Sequence, residues 1–362
     1  MDAGCLSSKQ MLLDLRHSIN TLDDQKQRDS FKGIYDFILS SLSYQITFKN
    51  PDLEALAGQL PNIEDFVMLL RQLIDREFII PSPLVASWND KISIWESRDG
   101  AIFTQFLDFI YERLLKKWLV FDEGKAADLV APIKALIGAP ERFNVSIFSL
   151  NYDQIFEKNF LLPGEDLLDD GFSSQTWDGE FEDPASPAKI KLYKLHGSSN
   201  WYFDELQEQV RCRPPGEVGD VRPLIIFGSS YKMQSYDPFL TLLSSFKQKL
   251  DAATLFVVIG YSFQDRYINN ILIQSLNSDP NRIALIVDPG LQNKTNEQFV
   301  NQLENTQKAK SLTEVINLTK ISYAKVKILP VTAKAFFQEY LGNNAAKLSE
   351  ELSAIESESL LF

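Results

Sequence analysis

The chain has 362 residues, of which 44% are hydrophobic, 23% charged and 12% aromatic, and its formal net charge is −13. Those proportions belong to a globular protein with a substantial core rather than to a disordered chain. So large an acidic excess opposes broad attraction to nucleic-acid phosphates or anionic lipid, so no direct reading of DNA sequence is expected. Two cysteines, Cys5 and Cys212, make neither a disulfide framework nor a tetrahedral cysteine zinc site. No run approaches the roughly 18 apolar residues that cross a bilayer, and the N-terminus shows no signal-peptide pattern. A soluble, cytoplasmic protein with no resident metal and no membrane contact is expected.

From about Lys9 to Ile137 the pattern is helical. Asn62 before Ile63, Phe66, Val67, Leu70 and Ile74 predicts a capped helix. Pro81-Ser82-Pro83 then interrupts as a loop, since proline forbids continued helix. Ile102, Phe106, Ile110 and Leu114 recur four apart, with Phe103 and Leu107 beside them, and predict an amphipathic helix. A further helix carries Leu129, Val130, Ile133 and Leu136 and closes at Gly138.

After Pro140 short apolar runs alternate with helical patterns. Val145–Leu150, Ile190–Leu195, Leu224–Phe227, Leu255–Ile259 and Ile283–Val287 read as strands, with helices at Phe239–Leu250 and Tyr267–Leu276 between them. Continuously apolar strands separated by helices predict an α/β class with an open, Rossmann-like parallel sheet covered on both faces. Leu167–Ala188 and Gln207–Asp220, rich in Asp, Gly, Ser and Pro, read as exposed loops. The end of the chain reads as a polar helix over Asn293–Leu318, a strand near Val326–Leu329 and two helices from Ala333 onward.

Ligands of such sheets bind beyond the carboxyl ends of the strands. There the sequence places Asn151-Tyr152-Asp153, His196-Gly197-Ser198, Gly228-Ser229, Gly260-Tyr261-Ser262 and Asp288. Small residues let a ligand approach the backbone, and amides at a following helix N-terminus hold phosphate oxygens, which suits a dinucleotide. Each segment also has a plainer reading. Asn151 and Asp153 are ordinary caps for a helix starting near Gln154, His196 can be a hydrogen-bonded loop histidine, and Trp201 and Tyr202 can be aromatic packing rather than pocket wall.

Taken together the segments resemble the sirtuin family. Phe148-Ser149-Leu150-Asn151-Tyr152-Asp153 resembles its Gln-Asn-Ile-Asp segment, Lys194-Leu195-His196-Gly197 its catalytic-histidine segment, Arg222-Pro223-Leu224-Ile225-Ile226-Phe227-Gly228 its Arg-Pro strand, and Gly260-Tyr261-Ser262-Phe263 its Gly-Thr-Ser-Leu turn. Ala3-Gly4-Cys5 with Ser7 is similar to the rest of the family's phosphate loop, with Asp2 in place of its first glycine. The wording Leu-Asn-Tyr-Asp, Leu-His-Gly-Ser-x-Asn-Trp and Gly-Tyr-Ser-Phe resembles that of sirtuin-like domains of bacterial anti-phage defence.

The resemblance implies a partial phosphate loop at 1–8, a helical insertion at 9–139, a Rossmann-like core at 140–289 and a C-terminal helical extension at 290–362. It implies NAD as substrate, cleaved at the nicotinamide–ribose bond, in a homo-oligomer that partners a HerA-type translocase ATPase. Implied catalytic residues are Asn151, His196 and Asp153. Implied NAD contacts are Ala3, Gly4, Cys5, Ser7, Gly197, Gly228, Ser229, Gly260, Tyr261, Ser262 and Asp288. The four zinc-binding cysteines of protein-deacylating sirtuins are missing, which disfavours a deacylase. A noncatalytic NAD or ADP-ribose binding module regulating an ATPase, and a zinc-free deacylase, stay open as alternatives.

Overall fold

The structure is a computed structural model and describes residues 5–49, 61–75, 88–93, 95, 101–138, 145–162, 165–181, 188–217, 219, 221–226, 237–263, 265–291, 326–341 and 347–348. The N-terminal stretch folds into α1 (Ser8–Asn20), α2 (Gln25–Lys49), α3 (Ile63–Ile74), α4 (Ala101–Arg113) and α5 (Glu123–Gly138). Their starts have local causes. Ser7 and Gln10 form a reciprocal capping box on α1, and Asn62 Oδ1 accepts from the Glu64 and Asp65 amides at 2.8 and 3.0 Å to begin α3.

The four-apart stripe is buried as predicted: Ile102, Phe103, Phe106, Leu107 and Ile110 of α4 and Leu114, which opens the π-helical turn after it, all join one cluster with residues of α1, α2 and α3. Aromatic rings knit it together. Phe31 stacks on Phe106 with centroids 4.6 Å apart, and Phe66 meets Phe106 edge-on at 6.0 Å.

From Val145 onward the sheet elements are β1 (Val145–Ser149), β2 (Leu161–Leu162), β3 (Glu165–Asp166), β4 (Leu168–Asp169), β5 (Phe172–Ser173), β6 (Thr176–Trp177), β7 (Ile190–Lys194), β8 (Trp201–Asp204), β9 (Gln209–Cys212), β10 (Leu255–Ile259), β11 (Ile283–Val287) and β12 (Val326–Leu329). Helices α6 (Ile155–Phe160), α7 (Phe239–Ala252) and α8 (Arg266–Ser278) lie between them. Among the described residues the parallel strands form two hydrogen-bonded sheets of three, in the orders β1-β7-β4 and β10-β11-β12.

Both sheets face the same two apolar layers. Ile190, Leu192, Leu285, Val287 and Leu329 point into one cluster with Val130, Ile133 and Ile137 of α5. Their strand neighbours Tyr193, Phe256, Ala284, Ile286 and Val326 point into another with Leu242, Phe246 and Leu250 of α7 and Ile268, Ile273 and Leu276 of α8. That alternation, period two along each strand with helices on both faces, is the α/β, Rossmann-like arrangement expected from the sequence.

Three expectations need correction. Leu224–Phe227 reads from composition as a strand of the parallel sheet; its described part makes only an isolated antiparallel bridge between Ile225 and Gly197. The cause is visible in its amides: Leu224 N donates to Trp201 O, Ile226 N donates to His196 O, and Pro223 has no N–H to give. Gln207–Asp220 is not all loop, because β9 pairs antiparallel with β8 as a hairpin. Leu167–Ala188 contains β4, which extends the β7 edge in parallel, and the β5–β6 pair, whose Phe172 and Trp177 pack on Trp201 at 5.1 and 5.9 Å. Beyond β12 the chain makes a single turn, α9 (Ala333–Ala335), that runs into a π-helical stretch at Phe336–Leu341. The predicted Pro81-Ser82-Pro83 loop and the Asn293–Leu318 helix lie outside the described residues.

Phe106 is fully buried in the helical cluster. Its replacement by alanine is expected to cost about 3–5 kcal/mol, read as a lowered denaturation midpoint with an unchanged slope in a urea titration.

Candidate active site at the carboxyl ends of the parallel strands

Parallel pairing decides which side chains meet. Ser149 and Lys194 are Cα partners at the ends of β1 and β7, so Asn151 and His196 each stand two residues beyond a matched position on neighbouring strands. The ladder continues past the strands: Leu195 N donates to Ser149 O and Ser199 N to Tyr152 O, both at 3.0 Å. The two turns are therefore stitched side by side. Asn151 is exposed at this edge, and its backbone N–H donates to Ser149 Oγ at 3.2 Å.

The His196 turn needs its glycine. Gly197 has φ of +80°, and a Cβ there would sit 2.1 Å from Leu224 O, so no other residue fits the close approach of the 224–226 segment. His196 itself is buried. Its Nε2 lies 3.0 Å from Asp265 Oδ2, while Nδ1 is buried without a hydrogen-bond partner among the described residues.

Asp265 is the N-cap of α8. Its Oδ1 accepts from the Tyr267 and Ile268 amides at 3.0 and 3.4 Å. Tyr261, in the turn after β10, directs its hydroxyl to Asp265 O and Asn269 Oδ1, and burial pushes that phenol well above its usual range. Gly260 has φ of +60°, and a methyl group at its Cα would meet no atom of the described residues within 4 Å. Ser262 is exposed beside it. Asp288, one residue past β11, turns Oδ1 onto Gly290 N at 2.7 Å.

Beneath the two turns lies a buried charged cluster. Lys194 Nζ donates to Asp153 O and pairs with Glu157 at 3.6 Å, both side chains being only 1% exposed. Ser198 Oγ donates to Glu157 Oε1 at 3.2 Å. Burial raises the Glu157 carboxyl, and burial together with Glu157 pushes Asp170 up to about 7. Removing one partner of such a pair leaves a charge uncompensated, typically at about 3–5 kcal/mol.

The structure thus brings Asn151, Asp153, His196 and Gly197 to one pair of turns, and Gly260, Tyr261, Ser262 and Asp288 to the ends of β10 and β11, whose last residues Ile259 and Val287 are partners. Ala3, Gly4, Gly228 and Ser229 lie outside the described residues. Cys5 donates its thiol toward Leu119 O at 3.8 Å. Burial pushes that thiol up to about 11, with Asp153 adding to the rise, which places the N-terminal segment within electrostatic reach of the Asp153 turn. Ser7 is occupied in capping α1.

Asp153 Oδ1 accepts from Ile155 N at 3.1 Å just ahead of α6, but the N-cap position is Gln154 and carries no side-chain cap bond, so the cap reading of Asp153 is corrected to a local turn contact, while aromatic packing for Trp201 holds. At the start of α8 the Tyr267 and Ile268 amides are already taken by Asp265, so those two amides are not free to hold a phosphate. Asp265 was missed by sequence reasoning. An aspartate opening a helical pattern reads as a cap, and nothing local to it announces a contact with a residue 69 positions away.

Compared with known protein families, residues 145–309 match the SIR2-like domain. The matched stretch begins at the first residue of β1 and takes in both turns, the buried cluster, Gly260, Asp265 and Asp288, making it a sirtuin-like domain. No curated protein matches the chain.

Asp170 offers a test of the buried cluster by pH. Its folded value of about 7 lies above the ordinary 3.8, so the folded state keeps a proton that the unfolded chain releases between those limits. The stabilisation is complete below the lower limit and is lost as pH rises through the upper one, at up to about 1.4 kcal/mol per pH unit. Asp170→Asn removes the titration. Its stability relative to wild type is therefore expected to improve from about pH 5 to about pH 8, measured by urea denaturation.

Proposed function

We propose that this chain is an NAD glycohydrolase, converting NAD and water to nicotinamide and ADP-ribose. The observation that carries the reading is a buried imidazole, His196, with its Nδ1 unpartnered among the described residues, standing two residues past the end of β7 as the exposed Asn151 stands two residues past the partnered end of β1. The sirtuin-like match over residues 145–309 supports NAD as the substrate class. The space before Gly260, which none of the described residues fills, supports close approach of a ligand to the backbone.

The bond between the ribose anomeric carbon and the cationic nicotinamide breaks with its electron pair leaving on nicotinamide, which departs neutral and needs no protonation. The ribose is left as an oxocarbenium ion. Asn151 holds the ribose hydroxyls or the attacking water, a positioning role. Water forms the new carbon–oxygen bond, and His196 takes the proton that is lost. Asp153 keeps the Asn151 turn in shape by accepting from Ile155 N and adds negative potential near the developing cation.

The wording of the motifs supports a role in anti-phage defence through NAD depletion, in a homo-oligomer that docks on a HerA-type translocase ATPase. Leu13 and Val120, exposed apolar residues in the N-terminal region, are where self-association would find apolar surface. Light scattering of the purified protein is expected to give a mass above that of the monomer; a strict monomer, with and without the ATPase, would count against the assembly.

The activity test is nicotinamide release from NAD without acyl-peptide, resolved by chromatography. His196→Ala and Asn151→Ala are each expected to lower the rate by about a hundredfold or more with circular dichroism unchanged. The double variant is expected to be little worse than either single one, since the two act as a unit. Release that depends on acyl-peptide would identify a deacylase. NAD binding without turnover, in the assembled state as well, would identify a binding module.

A further inference from the structure

We infer that Asp265 is a positioning residue that fixes the tautomer of His196, making Nδ1 the proton-accepting nitrogen. The inference rests on the NAD glycohydrolase reading for its chemistry, and on hydrogen-bond geometry for the assignment itself.

The two oxygens of Asp265 do different jobs. Oδ1 accepts two backbone amides at the start of α8, and Oδ2 lies 3.0 Å from His196 Nε2. An ionised carboxylate only accepts hydrogen bonds, so Nε2 carries the hydrogen and donates it. In the neutral ring Nδ1 is then a bare lone pair, because the bond made by one ring nitrogen sets the state of the other. Nδ1 is the atom that has no partner among the described residues although the side chain is about nine-tenths buried. A lone pair in that condition is satisfied by a ligand hydroxyl or by water, and a base needs such an acceptor within reach of the proton it takes.

Capping alone does not require an aspartate here. Ser, Thr and Asn serve as well at an N-cap, and each would satisfy the amides that Oδ1 satisfies. The second oxygen is what distinguishes Asp265, and it is spent on the histidine. The carboxylate is held in place by the helix it caps, so the ring is oriented by α8 rather than by a mobile side chain. Asp265 touches neither substrate nor water in this scheme; it acts through His196.

Asp265→Asn separates the two jobs. The asparagine Oδ1 keeps the cap, but its amide now donates toward Nε2, which must accept, and the hydrogen moves to Nδ1. This reversal of tautomer without loss of geometry is strongly inactivating where a histidine is the base. The expected outcome is a fall in kcat of about a hundredfold or more, an unchanged KM for NAD and an unchanged thermal midpoint. Asp265→Ser, which keeps only the cap, is expected to fold normally and to lose kcat as well.

Nitrogen-15 NMR of histidine-labelled protein reads the tautomer directly, and with only two histidines in the chain a His17→Gln variant assigns the signals. Wild type is expected to show His196 as the Nε2–H form and Asp265→Asn as the Nδ1–H form. Wild-type His196 in the Nδ1–H form, or Asp265→Asn with wild-type kcat, would overturn the inference. If wild type releases no nicotinamide in any state, the glycohydrolase reading fails while the NMR arm still decides the tautomer.

Discussion

Lys194 imposes the constraint on which the site depends, a lysine side chain buried at the end of a parallel strand. A desolvated charge has to be neutralised and hydrogen-bonded where it stands. Glu157 does the first and the Asp153 carbonyl the second, so α6 and the turn after β1 are drawn to the end of β7. Glu157 in turn takes the Ser198 hydroxyl, just beyond His196. The loops that bear Asn151 and His196 are thus shaped by the buried charge of Lys194 and Glu157 and by main-chain bonds between the two turns. The contact between His196 and Asp265 adds the last tie, joining the carboxyl end of the first parallel sheet to the start of the helix that follows β10.

Much of the framework was legible in the residues. The runs Leu255–Ile259, Ile283–Val287 and Val326–Leu329 are strands with the predicted limits, because a short run apolar on both faces has few other uses in a layered fold. Asn62 and Gly138 mark helix ends for reasons contained within one turn of chain. Position after a strand also placed Asn151 and His196 at the ends of two strands that prove to be paired neighbours. What stayed hidden was long-range. The Leu224–Phe227 run has the composition of a strand, yet its neighbours Trp201 and His196 claim its amides, and apolar content does not reveal which partner an amide will find.

The buried acids show the same limit. Asp170 sits in a stretch of Asp, Gly and Ser that reads as exposed loop, and it is buried because β4 pairs along β7. Asp265 looks from its neighbours like any helix cap. Its second oxygen acquires a role only once β7 has brought a histidine to it. Local rules see the first job of such residues and tertiary structure assigns the second.

Tyr152 and Ile225 belong to the apolar cluster of the N-terminal helices although both lie within the sirtuin-like stretch. Tyr152 OH also donates to Ile226 O at 2.8 Å, with Glu64 of α3 at 3.4 Å. The residue between the two proposed catalytic positions, Asn151 and Asp153, is therefore anchored in the helices. The sirtuin-like stretch is not a transplantable cassette. Excised at Val145, it would carry a tyrosine stripped of its apolar surroundings at the turn that bears Asn151, and any fusion or truncation that spares the family match alone would unseat that turn.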